Sequence, residues 1–255
     1  LGEGLRFGAY AGKALEVGAD VEESRPYQQG DPVRLINWRL TARAHDQVFV
    51  KYQPKPTELR AKLLVDLRSS TWQGTRLRLK SEQIVRIAFQ LAKHLSESVV
   101  VDTQLWSLIP ESLPILRGRA RWSAWTQAFH SALLAIAESS GDHEIPLSEA
   151  LTQVNDQWLI VISDFVDWDE QLESVLLDAQ NGRQVLLIQV LDQAELTLPI
   201  TSGISLGDGG FQANSAHQLA YQTAMTAYLE HLTSWCSTMG IVYWRVVAGD
   251  DALVY

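Results

Sequence analysis

Five short apolar segments, spread along the chain after residue 60, constrain its fold more than any other feature. They are rich in Val, Ile, Leu and aromatic residues, and their apolar positions are nearly continuous rather than alternating. Runs of this kind are typical of strands that are buried on both faces, as in a parallel sheet covered by helices. The predicted strands are 62–67 (KLLVDL), 103–109 (TQLWSLI), 158–163 (WLIVIS), 184–191 (QVLLIQVL) and 241–247 (IVYWRVV).

Helical patterns lie between these predicted strands. Apolar residues recur every three or four positions, which predicts helices over 80–96, 121–137, 169–181 and 214–239. Gly240 follows the last of these segments, as a C-terminal cap would. The turn-rich segment 198–211 predicts a small hairpin. The alternation of strand and helix predicts an α/β fold, a Rossmann-type and mostly parallel sheet with helices on both faces.

The length of the chain sets its domain organisation. It has 255 residues, enough for one large α/β domain, and the first predicted strand begins only after residue 60. We therefore predict an N-terminal arm over 1–60 and a single domain over 61–255. With 46% hydrophobic and 20% charged residues, the composition is that of an ordinary globular protein.

Location is predicted from two features. No apolar run approaches the ~20 residues that span a bilayer, so we expect no membrane insertion by this segment. A single cysteine, Cys236, excludes an internal disulfide and is typical of a reducing compartment. We therefore expect a cytoplasmic location. The sequence starts at Leu1 rather than Met, and a membrane anchor upstream of it would not be visible here.

Charge is distributed unevenly along the chain. Residues 1–120 contain 18 Lys and Arg against 13 Asp and Glu (net +5), whereas residues 121–255 contain 3 against 17 (net −14). An acidic half disfavours nucleic acid and steers partners of opposite charge toward the molecule. We expect no nucleic-acid partner. The alternative interpretation is that these charges are ordinary solvated surface that segregates along the chain.

Motifs of several common enzyme classes are absent. The sequence contains no P-loop, no G-x-G-x-x-G, no H-E-x-x-H and no C-x-x-C, and its six histidines are not spaced as metal ligands. Trp122, Trp125 and Phe129 share one face of a predicted helix, and core packing explains them more simply than an aromatic binding surface.

The stretch 24–43 (SRPYQQGDPVRLINWRLTAR) is denser in arginine and aromatic residues than its surroundings. Gly30 permits a turn, Asp31 is a favoured N-cap, and Pro32 suits the first helical turn. These residues predict a short helix over about 32–43.

The arginines of this predicted helix have two interpretations. Arg34 and Trp38 are four residues apart, as are Arg39 and Arg43, so each pair shares a face. Together with Tyr27 they form either an anion-binding or partner-docking patch, or ion pairs with acidic residues of the main domain. We favour the ion pairs, because Arg commonly makes bidentate intramolecular pairs.

At these residues the sequence resembles the von Willebrand A-like proteins of domain of unknown function family fifty-eight. The family pattern R-x-Y-x-x-G-D-x-x-R-x-I-x-W-x-x-x-A-R is matched by Arg25, Tyr27, Gly30, Asp31, Arg34, Ile36, Trp38, Ala42 and Arg43. The resemblance continues through 63–71, 161–165 and 190–199. It implies a von Willebrand A-like fold. Because the family frequently accompanies MoxR-type AAA+ ATPases, it also implies a role as partner or adaptor of such a chaperone.

The resemblance implies a metal site at the segment LLVDLRSST (63–71). Domains of this fold have the strand order 3-2-1-4-5-6 and bind Mg²⁺ or Mn²⁺ at the carboxyl ends of the central strands. Their ligands are a D-x-S-x-S loop, a threonine on a second loop and an aspartate on a third. Asp66 and Ser70 match two positions of the first loop, and Asp164 matches the third-loop aspartate.

Two ligand positions of the pattern are lost. Arg68 replaces the first serine, and Ile145 replaces the threonine. A guanidinium within ~4 Å of a divalent cation repels it by several kcal/mol even at an effective dielectric constant of ~20. We therefore predict that Arg68 lies between Asp66 and Asp164 and substitutes for the metal, which leaves Asp66, Arg68, Ser70 and Asp164 as a structural or recognition rim.

Two further carboxylates follow the third loop. Asp167 and Asp169 precede a predicted helix, and we expect them to be its N-cap and first-turn charges rather than metal ligands.

From these features we predict a non-enzymatic protein-interaction or adaptor module, with no catalytic residues and no cofactor, whose partner is a MoxR-type AAA+ ATPase. The alternative is a divalent-metal-dependent ligand-binding or hydrolytic domain that uses Asp66, Ser70 and Asp164 and binds Mg²⁺ or Mn²⁺ weakly.

Overall fold

The structure is a computed structural model. It describes residues 23–28, 31, 33–44, 47–52, 58–74, 78–139, 145–152, 154, 156–196, 204–206, 209–211 and 215–249. These residues form two compact units that divide between Glu58 and Leu59. Each unit is described by itself.

The first unit contains an antiparallel pair of strands, β1 (Glu23–Pro26) and β2 (Phe49–Tyr52). Between them in sequence lie a 3-10 helix (Val33–Leu35) and the short helix α1 (Trp38–Thr41).

The prediction of one helix over 32–43 was wrong. Ile36 forms an antiparallel bridge with Val50 of β2, which separates the 3-10 helix from α1. Asn37 then caps α1, since its side-chain oxygen accepts a hydrogen bond from the backbone N–H of Leu40 (3.2 Å). Pairing with a strand that is distant in sequence has outweighed the local helix propensity.

The predicted cap residue has a different role. The Asp31 carboxylate accepts a hydrogen bond from the backbone N–H of Gln28 (2.8 Å), and the Asp31 N–H donates to the Gln28 carbonyl (3.0 Å). Gly30 and Pro32, on which the prediction also depended, lie outside the described residues.

The second unit is an α/β domain. Its described strands are β3 (Arg60–Asp66), β4 (Val100–Trp106), β5 (Glu111–Ser112), β6 (Trp158–Ser163), β7 (Gln184–Leu191), β8 (Ile204–Leu206), β9 (Gly209–Phe211) and β10 (Val242–Val247). One sheet has the order β5-β4-β3-β6-β7-β10, in which every pair is parallel except β5 with β4. Counted along the chain from β3, this order is 3-2-1-4-5-6, so the predicted von Willebrand A-like fold is confirmed.

The separate pair β8–β9 is the predicted hairpin. One strand prediction was displaced, because β4 spans Val100–Trp106 rather than 103–109. The buried valines at 99–101 precede the predicted start, and they place the strand three residues earlier. The two-residue strand β5 was not predicted.

The four long helices of the second unit agree closely with the sequence pattern, and two short helices were not predicted. They are α2 (Lys80–Leu95), α3 (Trp122–Glu138), α4 (Leu147–Ala150), α5 (Glu170–Gln180), α6 (Gln193–Leu196) and α7 (Ser215–Met239). Gly240 has a positive φ of 71° and ends α7, as predicted. Within the described residues, no helix combines the length and the apolar character needed to cross a bilayer.

Side chains alternate between the two faces of the sheet. Leu64 of β3, Val161 of β6 and Leu187 of β7 belong to one buried cluster that also includes Leu176 of α5 and Leu232 of α7. The cluster also contains Phe165, which anchors the loop at the carboxyl end of β6.

An aromatic cluster joins α2 to α3. Phe89 of α2 contacts Trp122, Trp125 and Phe129 of α3, with ring centroids 4.7 to 6.0 Å apart. Trp125 and Phe129 are fully buried, and the Trp125 indole N–H donates a hydrogen bond to the hydroxyl of Thr103 in β4 (3.2 Å). The interpretation of these residues as core packing is confirmed.

Replacing Trp125 with alanine should lower the free energy of unfolding by about 3–5 kcal/mol, because it leaves a cavity between α2, α3 and β4. Urea denaturation followed by circular dichroism measures the loss. The matched control is Leu134→Ala on the exposed side of α3, which should change stability by no more than about 0.5 kcal/mol. Equal losses in the two variants would contradict this description of the core.

Candidate functional site

Two carboxylates meet at the carboxyl ends of the central strands. Asp66 is the last residue of β3, and Asp164 directly follows the neighbouring strand β6. The Ser163 hydroxyl at the end of β6 donates a hydrogen bond to the Asp66 carboxylate (2.6 Å), so Asp164 directly follows a residue that contacts Asp66. This edge is where the strand order reverses, and open α/β sheets bind their ligands at such a switch point.

Arg68 turns back onto Asp66. Its Nε donates to Oδ1 of Asp66 (3.0 Å), its Nη2 donates to Oδ2 (2.8 Å), and its backbone N–H also donates to Oδ1 (3.1 Å). The Ser163 hydroxyl donates to Oδ2 of Asp66 (2.6 Å). Asp66 is fully buried, so these four donors replace the water that an exposed carboxylate would bind.

The same guanidinium also binds Asp167. Nη1 of Arg68 donates to Oδ2 of Asp167 (2.5 Å), and Nη2 donates to Oδ1 (3.0 Å). Arg68 therefore bridges Asp66 and Asp167. The prediction that it lies between Asp66 and Asp164 was wrong, because the Asp164 carboxylate is engaged by another cation.

That cation is Lys80, the first residue of α2, whose side chain is only 2% exposed. Its Nζ donates to Oδ2 of Asp164 (2.9 Å) and to Oε1 of Glu195 in α6 (2.6 Å). Sequence reasoning missed this residue. Its position in the sequence did indicate an acidic partner. A lysine at the start of a helix is disfavoured by the helix dipole unless a carboxylate is near it.

The two aspartates before α5 have different roles. Asp169 is the N-cap, since its Oδ1 accepts a hydrogen bond from the backbone N–H of Leu172 (2.7 Å), as predicted. Asp167 was predicted to be a helix-terminus charge, and that prediction was wrong because its carboxylate pairs with Arg68.

Burial and ion pairing oppose each other in the pKa values of this site. Burial raises the pKa of Asp66, and the hydrogen bonds from Arg68 and Ser163 offset only part of that effect. Burial acts in the same direction on Asp167, but Arg68 outweighs it, so the pKa of Asp167 lies below its ordinary value. The difference follows from exposure, since Asp66 is fully buried and the Asp167 side chain is 36% exposed.

Lys80 shows the same competition with the opposite sign. Burial alone would lower its pKa, because it disfavours the ammonium form. The carboxylates of Asp164 and Glu195 outweigh burial, and the pKa of Lys80 is raised. Lys80 is therefore a fixed positive charge at neutral pH.

The turn after β6 has an unusual backbone. Phe165 has a φ of 52°, in the left-handed region that bulky residues rarely adopt, and it is fully buried. Its N–H donates to the hydroxyl of Ser163 (2.9 Å), and its carbonyl accepts a hydrogen bond from the hydroxyl of Tyr228 in α7. The Asp164 carbonyl accepts a hydrogen bond from the Gln189 amide (3.0 Å). These bonds fix the turn that carries Asp164 and Asp167.

The remaining predicted positions lie nearby. Ser70 is in a 3-10 helix (Ser69–Trp72) directly after Arg68, and its buried hydroxyl oxygen has no hydrogen-bond partner among the described residues. The carbonyl of Ile145 accepts a hydrogen bond from the Trp106 indole (3.0 Å), and the Leu147 backbone helps to lower the pKa of Asp167. The segment expected to carry the threonine therefore does approach the site.

An apolar rim borders the ion pairs. Trp72, Ile109 and Val166 follow the carboxyl ends of β3, β4 and β6, and all three are exposed, Val166 by 66%. They therefore lie along one edge of the sheet. No sequence signal marked them, because the exposure of an apolar loop residue depends on the final packing.

The family-motif residues belong to the first unit. Arg25 lies in β1 opposite Val50, and the backbone N–H of Tyr27 donates to the carbonyl of Val48 (2.7 Å). Trp38 is 65% exposed, and Arg34 and Arg43 are exposed as well.

One short catalytic pattern does occur in the chain, since residues 203–207 read G-I-S-L-G and match G-x-S-x-G. The nucleophile of that motif must sit on a sharp turn between a strand and a helix. Ser205 instead lies inside β8, opposite Gly210 of β9, so the pattern has no catalytic context here.

No group of three or more His, Cys, Asp or Glu side chains in the described ranges has an arrangement that could hold a metal ion.

Most of the chain matches one known protein family. Residues 23–228 match the family described as "Protein of unknown function DUF58". The chain belongs to this family. Its DUF58 relatives include the uncharacterized proteins Mb1516 of Mycobacterium bovis and Rv1480 of Mycobacterium tuberculosis, each 28% identical over 218 residues that cover 81% of this chain. The chain spans 65% of the length of these relatives.

Two solved structures are also similar to this DUF58 chain. BatB from Bacteroides thetaiotaomicron is 15% identical with a TM-score of 0.44, covering 76% of this chain and 93% of that one. An aerotolerance-related membrane protein from Bacteroides fragilis is 14% identical with a TM-score of 0.42, covering 76% and 92%. At these scores the similarities carry no inference about function.

Replacing Lys80 with methionine keeps an unbranched side chain but leaves Asp164 and Glu195 without their cation. We expect the free energy of unfolding to fall by about 3–5 kcal/mol, the usual cost of removing one partner of a buried ion pair. Urea denaturation measures the loss. The control is Lys93→Met on the exposed face of α2, and a similar loss in that variant would contradict the role given to Lys80.

The effect of Lys80→Met should also depend on pH. Because the pKa of Lys80 in the folded protein is raised above 10.5, its contribution to stability is complete below that pH and is lost as the pH rises through the folded value. Between about pH 8 and about pH 10.5, the difference in melting temperature between wild type and variant should therefore stay constant. Above about pH 10.5 the difference should shrink. A difference that does not shrink at alkaline pH would be inconsistent with this ion pair.

Proposed function

We propose that this protein is a non-enzymatic interaction module that acts as an adaptor for a MoxR-type AAA+ ATPase. In this proposal the site at the carboxyl ends of β3 and β6 is a degenerate metal-ion site. Its metal has been replaced by two protein cations. The apolar rim of Trp72, Ile109 and Val166 beside it is a fixed recognition surface.

The observation that carries the proposal is the pairing of four carboxylates at the site with two protein cations. Arg68 binds Asp66 and Asp167, and Lys80 binds Asp164 and Glu195. Both oxygens of Asp66 already accept hydrogen bonds from protein donors. A divalent cation would have to displace a guanidinium or an ammonium group and would meet a repulsion of several kcal/mol at ~4 Å. The residues therefore suit ion pairing better than metal binding.

Rigidity and exposure support a binding role. The turn that carries Asp164 is held by hydrogen bonds to Ser163, Gln189 and Tyr228. Exposed apolar residues beside a fixed polar network are typical of protein-interaction surfaces. The rim formed by Trp72, Ile109 and Val166 meets that description.

The identity of the partner follows from the family resemblance alone. Proteins of this family frequently accompany MoxR-type ATPases, and membership of the family makes such an ATPase the first partner to test.

Calorimetric titration separates this proposal from a metal-dependent domain. Wild type should show no micromolar binding of Mg²⁺ or Mn²⁺. The variant Arg68→Ser, Ile145→Thr restores two ligand positions and should bind Mn²⁺ about tenfold or more tightly than wild type, equivalent to about 1.4 kcal/mol. Circular dichroism checks that the variant is folded. Clear micromolar binding by wild type would favour a metal-dependent ligand-binding or hydrolytic domain that uses Asp66, Ser70 and Asp164.

Binding to a purified MoxR-type ATPase from the same organism tests the adaptor role. Ile109→Asp together with Val166→Asp places two charges on the rim and should weaken binding about tenfold or more. Trp72 is left unchanged because its indole donates a hydrogen bond to the Leu67 carbonyl. The control is Leu134→Asp, at another exposed apolar position, on α3. Absence of binding by wild type would end the adaptor proposal, and equal binding by all variants would exclude the rim as its surface.

A further inference from the structure

The first unit exposes a basic segment that contains three arginines. Arg34, Arg39 and Arg43 are all exposed, and none of them forms an ion pair among the described residues of the first unit. Arg39 and Arg43 are four residues apart, and backbone hydrogen bonds from residues 42–44 back to Trp38 and Leu40 continue the helical turn. At this spacing the two positive charges repel each other, so an anionic partner would stabilise the segment.

Apolar side chains accompany these arginines. Trp38 and Val33 are each 65% exposed. Trp and Arg are the residue types that contribute most often to the central energy of protein interfaces, because both combine a large contact area with a polar group. We call residues 33–43 the basic segment.

The second unit exposes a surface of opposite charge. On α5, Glu170, Ser174, Leu177 and Asp178 follow the helical spacing i, i+4, i+7 and i+8, so they share one face. All four are exposed, and neither Glu170 nor Asp178 forms an ion pair among the described residues. We call this surface the acidic face of α5.

The two surfaces have matching composition. Each combines an exposed apolar side chain, Trp38 in one and Leu177 in the other, with exposed charges of a single sign. The match agrees with the whole chain, where residues 1–120 carry a net +5 and residues 121–255 a net −14. An interface needs both an apolar centre and complementary charge, and these surfaces supply them.

We propose that the basic segment of one molecule binds the acidic face of α5 of a second copy of the same chain. The two surfaces differ, so the association is head to tail, and each molecule keeps one free surface of each kind. The product is a chain of copies, or a ring if the rotation between neighbours closes. This proposal does not depend on the adaptor function, because neither surface includes the rim or the buried ion pairs.

Sedimentation velocity of the purified protein tests the association. Wild type should form dimers and larger species as its concentration rises, and the dissociation constant should increase about tenfold or more between about 50 mM and about 500 mM NaCl, since exposed charge pairs are screened by salt. A wild type that stays monomeric at low salt overturns the proposal.

Two charge-reversal variants identify the surfaces. Arg39→Glu with Arg43→Glu reverses the basic segment, and Glu170→Arg with Asp178→Arg reverses the acidic face. Each variant alone should be monomeric, because like charges then face each other. An equal mixture should associate again as an alternating assembly. The reversed segment of the first variant matches the reversed face of the second, and the unchanged segment of the second matches the unchanged face of the first. A mixture that stays monomeric overturns the assignment.

A matched control excludes a general effect of net charge. Lys93→Glu with Arg121→Glu makes the same change in net charge as the reversal of the basic segment. Both positions are exposed and lie outside the two surfaces. This variant should associate as wild type does. If it is also monomeric, association depends on total charge and the assigned surfaces are wrong. Sedimentation of wild type separates contact between molecules from pairing within one molecule, because pairing within one molecule would leave wild type monomeric.

Discussion

The structure depends on how it stabilises a carboxylate that is fully removed from water. Asp66 ends the central strand β3, and the backbone there leaves its side chain no route to solvent. An unpaired charge in that position would be unstable by several kcal/mol. The pairing of Asp66 with Arg68, reinforced by the Ser163 hydroxyl, is therefore a condition for the sheet edge to exist in its present form.

Pairing at this edge connects elements that are distant in sequence. Arg68 joins the end of β3 to the turn before α5, through Asp167. Lys80 joins the start of α2 to the end of β6 and to α6, through Asp164 and Glu195. Water cannot replace the partner of a buried ion. Each pair therefore restricts the position of the segments that it joins. The loops at the switch point thus behave as one rigid group.

Sequence patterns identified the sheet and its helices because burial on both faces leaves continuous apolar runs, and amphipathic helices leave a regular repeat. The family pattern further marked Asp66, Arg68 and Asp164 as neighbours. Lys80 and Asp167 were missed or misassigned because local rules place a charged residue at a helix start in solvent, and only the three-dimensional packing shows otherwise. The prediction of one helix over 32–43 was wrong for a similar reason, since the bridge from Ile36 to Val50 joins residues that are distant in sequence.

The left-handed backbone at Phe165 limits which residues this position can accept. Its φ of 52° suits glycine, whereas its complete burial between the sheet and α7 suits a large aromatic side chain. Glycine would remove the backbone strain but leave a cavity in the core. A smaller branched residue would keep the strain and also fill the core less completely. Phenylalanine is a compromise in which the packing energy of the ring holds the backbone in an unfavourable conformation. The direction taken by the loop beyond β6 is accordingly set by a side chain rather than by the intrinsic preference of the main chain.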